Sequence, residues 1–195
     1  MRHKDENKEA AIREKAIEMI VNEGFDGLSM KKLANAANIS ASTIYIYFKS
    51  REDLLNQLYI AIEDKFEQDA LKNFHPEMNF EEGLWLQWKN RYKNILSDPT
   101  AFLFYEQFRN SPLIRQKKKE DNVFRKTMAS FVKNAVAKKE IAELPDEVFW
   151  AIAYGAFYIL VKFHLDQSTM AGKSFSMSES KMKLTFSRII KSLKA

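Results

Sequence analysis

One period dominates this chain: apolar residues recur every three to four positions almost from end to end, and each run closes on a residue able to cap or break a helix. Over 9–22 the apolar positions are Ile12, Ala16, Met19 and Ile20, one face of a helix, and Gly24 follows as a residue free to take positive φ. Ser29 then caps a short helix over 30–36, and Ser40 caps another over 41–47. Ser50-Arg51-Glu52-Asp53 has the form of a capping box, with Ser50 as cap and Asp53 at the third helical position. Leu54, Leu55, Leu58, Ile62 and Phe66 mark the long helix behind it. His75-Pro76 breaks the pattern before a fifth helix over 80–96. Asp98-Pro99 opens a sixth to about Asn110, and Ser111-Pro112 opens a seventh to about Lys139. Pro145-Asp146 opens an eighth ending near Gln167, and a ninth covers 178–193. No strand alternation survives. The fold class expected is all-α, with about nine helices.

Composition narrows the function more by exclusion than by assertion. There is no cysteine, which removes disulfides, thiolate nucleophiles and Cys-based zinc sites. The three histidines, His3, His75 and His164, are scattered and none stands in a metal-binding spacing. No nucleophile elbow, phosphate-binding loop or dinucleotide fingerprint is present. The expectation is therefore a protein with no catalytic residues, no metal and no cofactor. The net charge of +5 is compatible with an anionic partner without establishing one. Met1 to Asn7 is polar and lacks the apolar core of a secretory signal. The longest apolar run, 148–161, is shorter than the ~18–20 residues of a bilayer span and is flanked by Asp146, Glu147, Lys162 and Asp166. A buried helix and a cytoplasmic protein without membrane contact are expected.

The informative stretch is 28–55, LSMKKLANAANISASTIYIYFKSREDLL. Two short helices meet at a tight turn at Asn38, with small Ala34 and Ala37 where they approach. The second helix begins with Ala41, Ser42 and Thr43 and ends with Tyr45 and Tyr47. A recognition helix needs this shape, a slim N-terminus for the major groove and flanks that reach phosphates. Ile44 and Phe48 belong in the core. Ile46 is placed to touch a thymine methyl. Tyr45 either reaches a phosphate or covers the edge of the core. Lys31 either reaches DNA or forms, with Lys32, a solvated face. Arg2-His3-Lys4 is either a disordered tail or a minor-groove arm.

From Met30 to Leu55 the chain resembles the TetR family of one-component regulators. The likeness rests on Ala37-Asn38-Ile39-Ser40, Thr43-Ile44-Tyr45, Tyr47-Phe48 and Lys49-Ser50-Arg51-Glu52-Asp53-Leu54-Leu55, with Gly24-Phe25 after the first helix. Asn38 stands where the family usually has glycine, and Arg51 where it usually has lysine. The resemblance implies a three-helix DNA-binding domain over 1–49 and a helical ligand-binding and dimerisation domain over 50–195. It implies that Thr43, Tyr45, Tyr47 and Arg51 face phosphates and that Ala41, Ser42 and Ile46 face the groove. It implies a homodimer paired through the last two helices on a palindromic operator, with its two recognition helices about 34–36 Å apart. It implies a repressor released by an unknown small-molecule effector. An activator, or a constitutive DNA-binding factor without ligand sensing, remains the alternative.

Beyond residue 80 aromatic residues are dense, and each is by default core. Together Trp88, Tyr92, Phe104, Phe108, Phe131 and Tyr154 are the candidate lining of an effector pocket, with Gln87 and Arg91 among the candidate polar groups.

Overall fold

A computed structural model describes residues 5–111 and 122–194. Among them are nine α-helices and no strand: α1 (Glu6–Gly27), α2 (Met30–Ala36), α3 (Ala41–Tyr47), α4 (Arg51–Ala70), α5 (Phe80–Ser97), α6 (Pro99–Arg109), α7 (Val123–Ala137), α8 (Asp146–Leu165) and α9 (Glu179–Leu193). The caps expected from sequence are in place. Ser29 accepts from the Lys32 N–H, Ser40 from Thr43 and Asp98 from Ala101; Ser178, read as the first residue of the last helix, instead caps it by accepting from Lys181. Two other starts differ. α1 begins earlier than expected because Asp5 accepts from the N–H groups of Asn7 and Lys8. α7 begins at Val123, capped by Asn122, whereas the proposed opening at Pro112 lies outside the described residues, as does the Arg2-His3-Lys4 tail. Gly24 has positive φ (73°) but extended ψ, so it kinks the end of α1 and the chain makes one more turn to Gly27.

Two compact units divide the chain, one within the bounds Met1–Phe66 and Ser97–Lys119, the other within Glu67–Leu96 and Glu120–Ala195. This packing division differs from a cut at 49/50, for a physical reason. Leu54, Leu55, Leu58, Tyr59 and Ile62 of α4 share one core with Ile12, Ala16 and Ile20 of α1, Leu33 of α2 and Ile44 of α3. Ala101, Phe104 and Phe108 of α6 complete that core. The first unit is thus three N-terminal helices held from behind by α4 and α6.

The second unit is built on α5, α7, α8 and α9. Trp88 is fully buried between Phe157 and Phe186, and its Nε1 donates to the Ala153 carbonyl at 3.0 Å. Phe131 of α7 lies against Phe74 and Phe80 and over Gly83. A Cβ on Gly83 would stand 2.7 Å from two Phe131 ring carbons. Gly83→Ala gains about 1 kcal/mol of helix propensity, but forcing a methyl against a fully buried ring costs about 1–3 kcal/mol. We expect a net loss of up to about 2 kcal/mol, read as a lower urea midpoint at unchanged slope.

α8 is apolar on two sides. Phe149, Ala153, Tyr154, Phe157 and Val161 are buried within the unit. Val148, Ala151, Gly155 and Ile159 form an exposed stripe, with Ile159 52% exposed and open space beside Gly155. The helix is 20 residues long, longer than the apolar run that marks it in sequence, and by length and composition alone it is able to cross a membrane.

Candidate nucleic-acid interface

The turn before α3 is set by Asn38. Its φ is +52°, its N–H donates to Asn35 O at 3.1 Å, and the Ile39 N–H reaches back to Ala34 O at 2.9 Å. This pair of bonds is a Schellman closure of α2, with asparagine in the left-handed position that glycine more often takes. Ile39 is thereby pointed back toward the core, and Ser40 starts α3 at once.

α3 is only seven residues long, so each position has one orientation. Ile44 and Tyr47, three apart, face the core. Ser42 and Tyr45, also three apart, face solvent, and Tyr45 is 55% exposed. Ala41, Thr43 and Ile46 are half-buried beside them. Lys31 is exposed on α2, while its neighbour Lys32 pairs with Glu23 at 3.3 Å. At the start of α4 the expected capping box is modified. Ser50 Oγ accepts from the Asp53 N–H at 3.1 Å, but the Asp53 carboxylate reaches the Lys49 N–H at 2.7 Å, one residue before the cap. The Gln57 amide and that N–H hold the Asp53 carboxyl below its ordinary value.

Two residues read from sequence as phosphate-facing are placed otherwise. Tyr47 is 8% exposed, and its hydroxyl accepts the Asp5 N–H at 3.0 Å, tying α3 to the start of α1. Its helical register with Ile44 turns it inward. Arg51 is half-buried: Nε donates to Leu28 O at 3.0 Å and the guanidinium also donates to Phe25 O. It clamps the α1–α2 connection to α4. Sequence spacing carries no sign of this, because the partners are backbone carbonyls 23 and 26 residues away.

The six candidate pocket residues divide between the two units. Phe104 and Phe108 are fully buried in the first core, stacked 5.8 Å apart. Trp88, Phe131 and Tyr154 are buried in the second unit, and Tyr92 is half-buried there, 5.9 Å from the His164 ring. Five of the six rings are buried, as helical periodicity leads one to expect of core aromatics, but periodicity did not say which interior receives each. Of the candidate polar groups in the second unit, Gln87 is fully buried and its Nε2 donates to the Ala70 carbonyl at 2.7 Å, while the charged one, Arg91, is half-buried. Its guanidinium lies 4.8 Å over the Tyr154 ring and 5.3 Å over Phe124, and donates to Tyr158 Oη at 2.9 Å. Burial pushes the Tyr154 hydroxyl up to about 12.

Residues 12–58 match the family model described as bacterial regulatory proteins, tetR family. An uncharacterised helix-turn-helix transcriptional regulator of Haemophilus influenzae is 34% identical over 94 residues, 48% of this chain and 50% of that protein. A fatty acid metabolism regulator protein of Bacillus subtilis is 38% identical over 48 residues, a quarter of each chain. The chain spans about half or less of the length of these curated relatives. Among solved structures, a TetR-family regulator from Haemophilus influenzae superimposes over the whole of both chains, with a TM-score of 0.76 at 23% identity. One from Marinobacter aquaeolei matches equally well over 99% of this chain and 98% of its own. Residues 12–58 thus carry the N-terminal region of the tetR family of bacterial regulatory proteins, and the whole chain shares the fold of solved TetR-family regulators.

Proposed function

We propose that this protein is a sequence-specific DNA-binding transcription regulator that acts as a homodimeric repressor and is released from its operator by a small molecule. The observation that carries the reading is the coincidence of the family match over 12–58 with an α3 whose solvent face presents Ser42 and Tyr45, flanked by Thr43 and Ile46. In this reading α3 lies in the major groove. Ser42, Ile46 and Ala41 meet base edges, Thr43 and Tyr45 meet phosphates, and Lys31 approaches from α2. Tyr47 and Arg51 serve by holding α1, α2 and α3 in register. The functional division is a DNA-binding domain over 1–49 and a sensing and dimerising domain over 50–195.

A second copy of the chain is the partner proposed for the exposed stripe of α8 together with Leu184 of α9, which is 61% exposed. Two such stripes bury apolar surface that a lone soluble chain rarely leaves open. The effector is proposed to enter the second unit, where aromatic faces and the Arg91 guanidinium offer both apolar area and one charged anchor. A ligand that favours one spacing of the recognition helices weakens DNA binding by reciprocity. α4, which contributes Arg51–Phe66 to the first unit and the remainder to the second, is the element proposed to transmit the change. The proposed setting is the cytoplasm.

Selection of bound sites from random duplex DNA, followed by a salt titration of the winner, tests this reading. It predicts a palindrome and an affinity that falls steeply with salt. No enriched sequence, with no binding at low salt, would refute it. Within the same assay Tyr45→Ala should lower affinity about tenfold on all sequences alike, the value of one hydrogen bond to a charged group. Equal affinities across several salt concentrations would remove Tyr45 from the interface.

A further inference from the structure

Three hydroxyls sit together at the start of α3. Ser40 Oγ lies 2.8 Å from Ser42 Oγ and 2.8 Å from Thr43 Oγ1, and it accepts the Thr43 N–H at 3.2 Å. Each hydroxyl has one proton and two lone pairs. The Thr43 N–H takes one lone pair of Ser40, leaving one lone pair and one proton for two neighbours. One neighbour must therefore donate to Ser40 and the other must accept from it. Only two arrangements satisfy all three groups. Either Ser42 donates to Ser40 and Ser40 to Thr43, or the whole relay runs in reverse.

The relay leaves the outer two hydroxyls with opposite characters. In the first arrangement Thr43 keeps its proton for an outside partner and Ser42 offers only lone pairs. In the second Thr43 offers only lone pairs and Ser42 keeps its proton. A phosphate oxygen accepts and never donates. With a phosphate at Thr43, as the DNA-binding reading above places it, only the first arrangement is allowed. We infer that Ser42 reads the major groove as an obligate hydrogen-bond acceptor, its polarity set through Ser40 by the phosphate contact of Thr43. Adenine N6 and cytosine N4 are the donors a groove edge offers, whereas guanine N7 and O6 and thymine O4 are acceptors. Ser42 therefore selects adenine or cytosine on the strand it touches. Ser40 is a positioning residue: it need not touch DNA itself.

This inference rests on the DNA-binding reading, and its test separates the two. Sites are selected from random duplex DNA by the full-length protein and by Ser42→Ala, Thr43→Val and Ser40→Gly. Valine is isosteric with threonine, and glycine remains a favoured cap residue. The wild type should restrict one base of each half-site to adenine or cytosine. Ser42→Ala should erase that restriction and so locate the position. Thr43→Val and Ser40→Gly, which free the Ser42 proton, should broaden it to admit guanine and thymine. The wild type alone then supplies a second measurement. Deleting the amino group at that base, with purine for adenine or 2-pyrimidinone for cytosine, should weaken binding about three- to tenfold, the value of one hydrogen bond, and should leave Ser42→Ala unaffected. Guanine or thymine at the Ser42-dependent position, or indifference of the wild type to the missing amino group, overturns the inference and leaves the regulator reading intact. No enriched site for the wild type overturns both.

Discussion

Phe108→Ala should lower the unfolding free energy of the first unit by about 3–5 kcal/mol, the range for truncating a large buried aromatic. The ring is fully buried and has three aromatic neighbours: Tyr59 at 4.9 Å, Phe104 at 5.8 Å and Phe25 edge-on at 5.9 Å. Three helices, α1, α4 and α6, meet on that ring. A domain is typically stable by only about 5–15 kcal/mol, so the variant stands close to global unfolding. Phe108→Leu keeps the measurement on scale, with an expected loss of about 1–2 kcal/mol. Urea denaturation followed by circular dichroism checks both. If Phe108 instead walled an effector cavity, as its sequence context suggested, its truncation would be mild for stability and would change the response to effector. A loss under 1 kcal/mol for the alanine variant would favour that alternative.

Arg51→Met should cost about 2–4 kcal/mol. Hydrogen bonds from a charged group are worth about 1.5–3 kcal/mol each, and Arg51 makes two, to Leu28 O and Phe25 O. Solvent discounts the pair, since the side chain is half-buried, but methionine leaves the carbonyl of buried Leu28 without this donor. Arg51→Lys should recover little, because an ammonium lacks the planar fork that spans two carbonyls. The experiment also separates two roles. A brace loses stability when removed. A phosphate contact, the role implied by the family resemblance, loses DNA affinity and about one unit of salt slope while stability stays level. Measuring melting and binding on the same variant decides between them.

Much of this fold was legible in the chain. Ser29, Ser40 and Asp98 cap the helices their positions announced, because a cap is a local contract between a side-chain oxygen and an N–H two or three residues on. Asn38 at positive φ was legible for the same reason. The inward turn of Ile44, Phe48, Trp88 and Phe131 followed from period alone.

The rest depended on long-range geometry. Tyr47 and Tyr45 are two residues apart and both are hydroxylated, yet one is buried on Asp5 and the other stands in solvent. Register with core Ile44 turns Tyr47 inward, but the Asp5 N–H that donates to its hydroxyl is 42 residues away and is brought there only by the fold. Phe104 and Trp88 looked alike in sequence, and packing sent them to separate interiors. Arg51 looked like an exposed cation until its carbonyl partners, 23 and 26 residues away, were brought beside it. Local sequence determines which backbone states and caps are cheap, since those energies lie within a few residues. Which apolar face meets which, and whether a polar head ends in water or on a buried carbonyl, is decided by the folded chain as a whole.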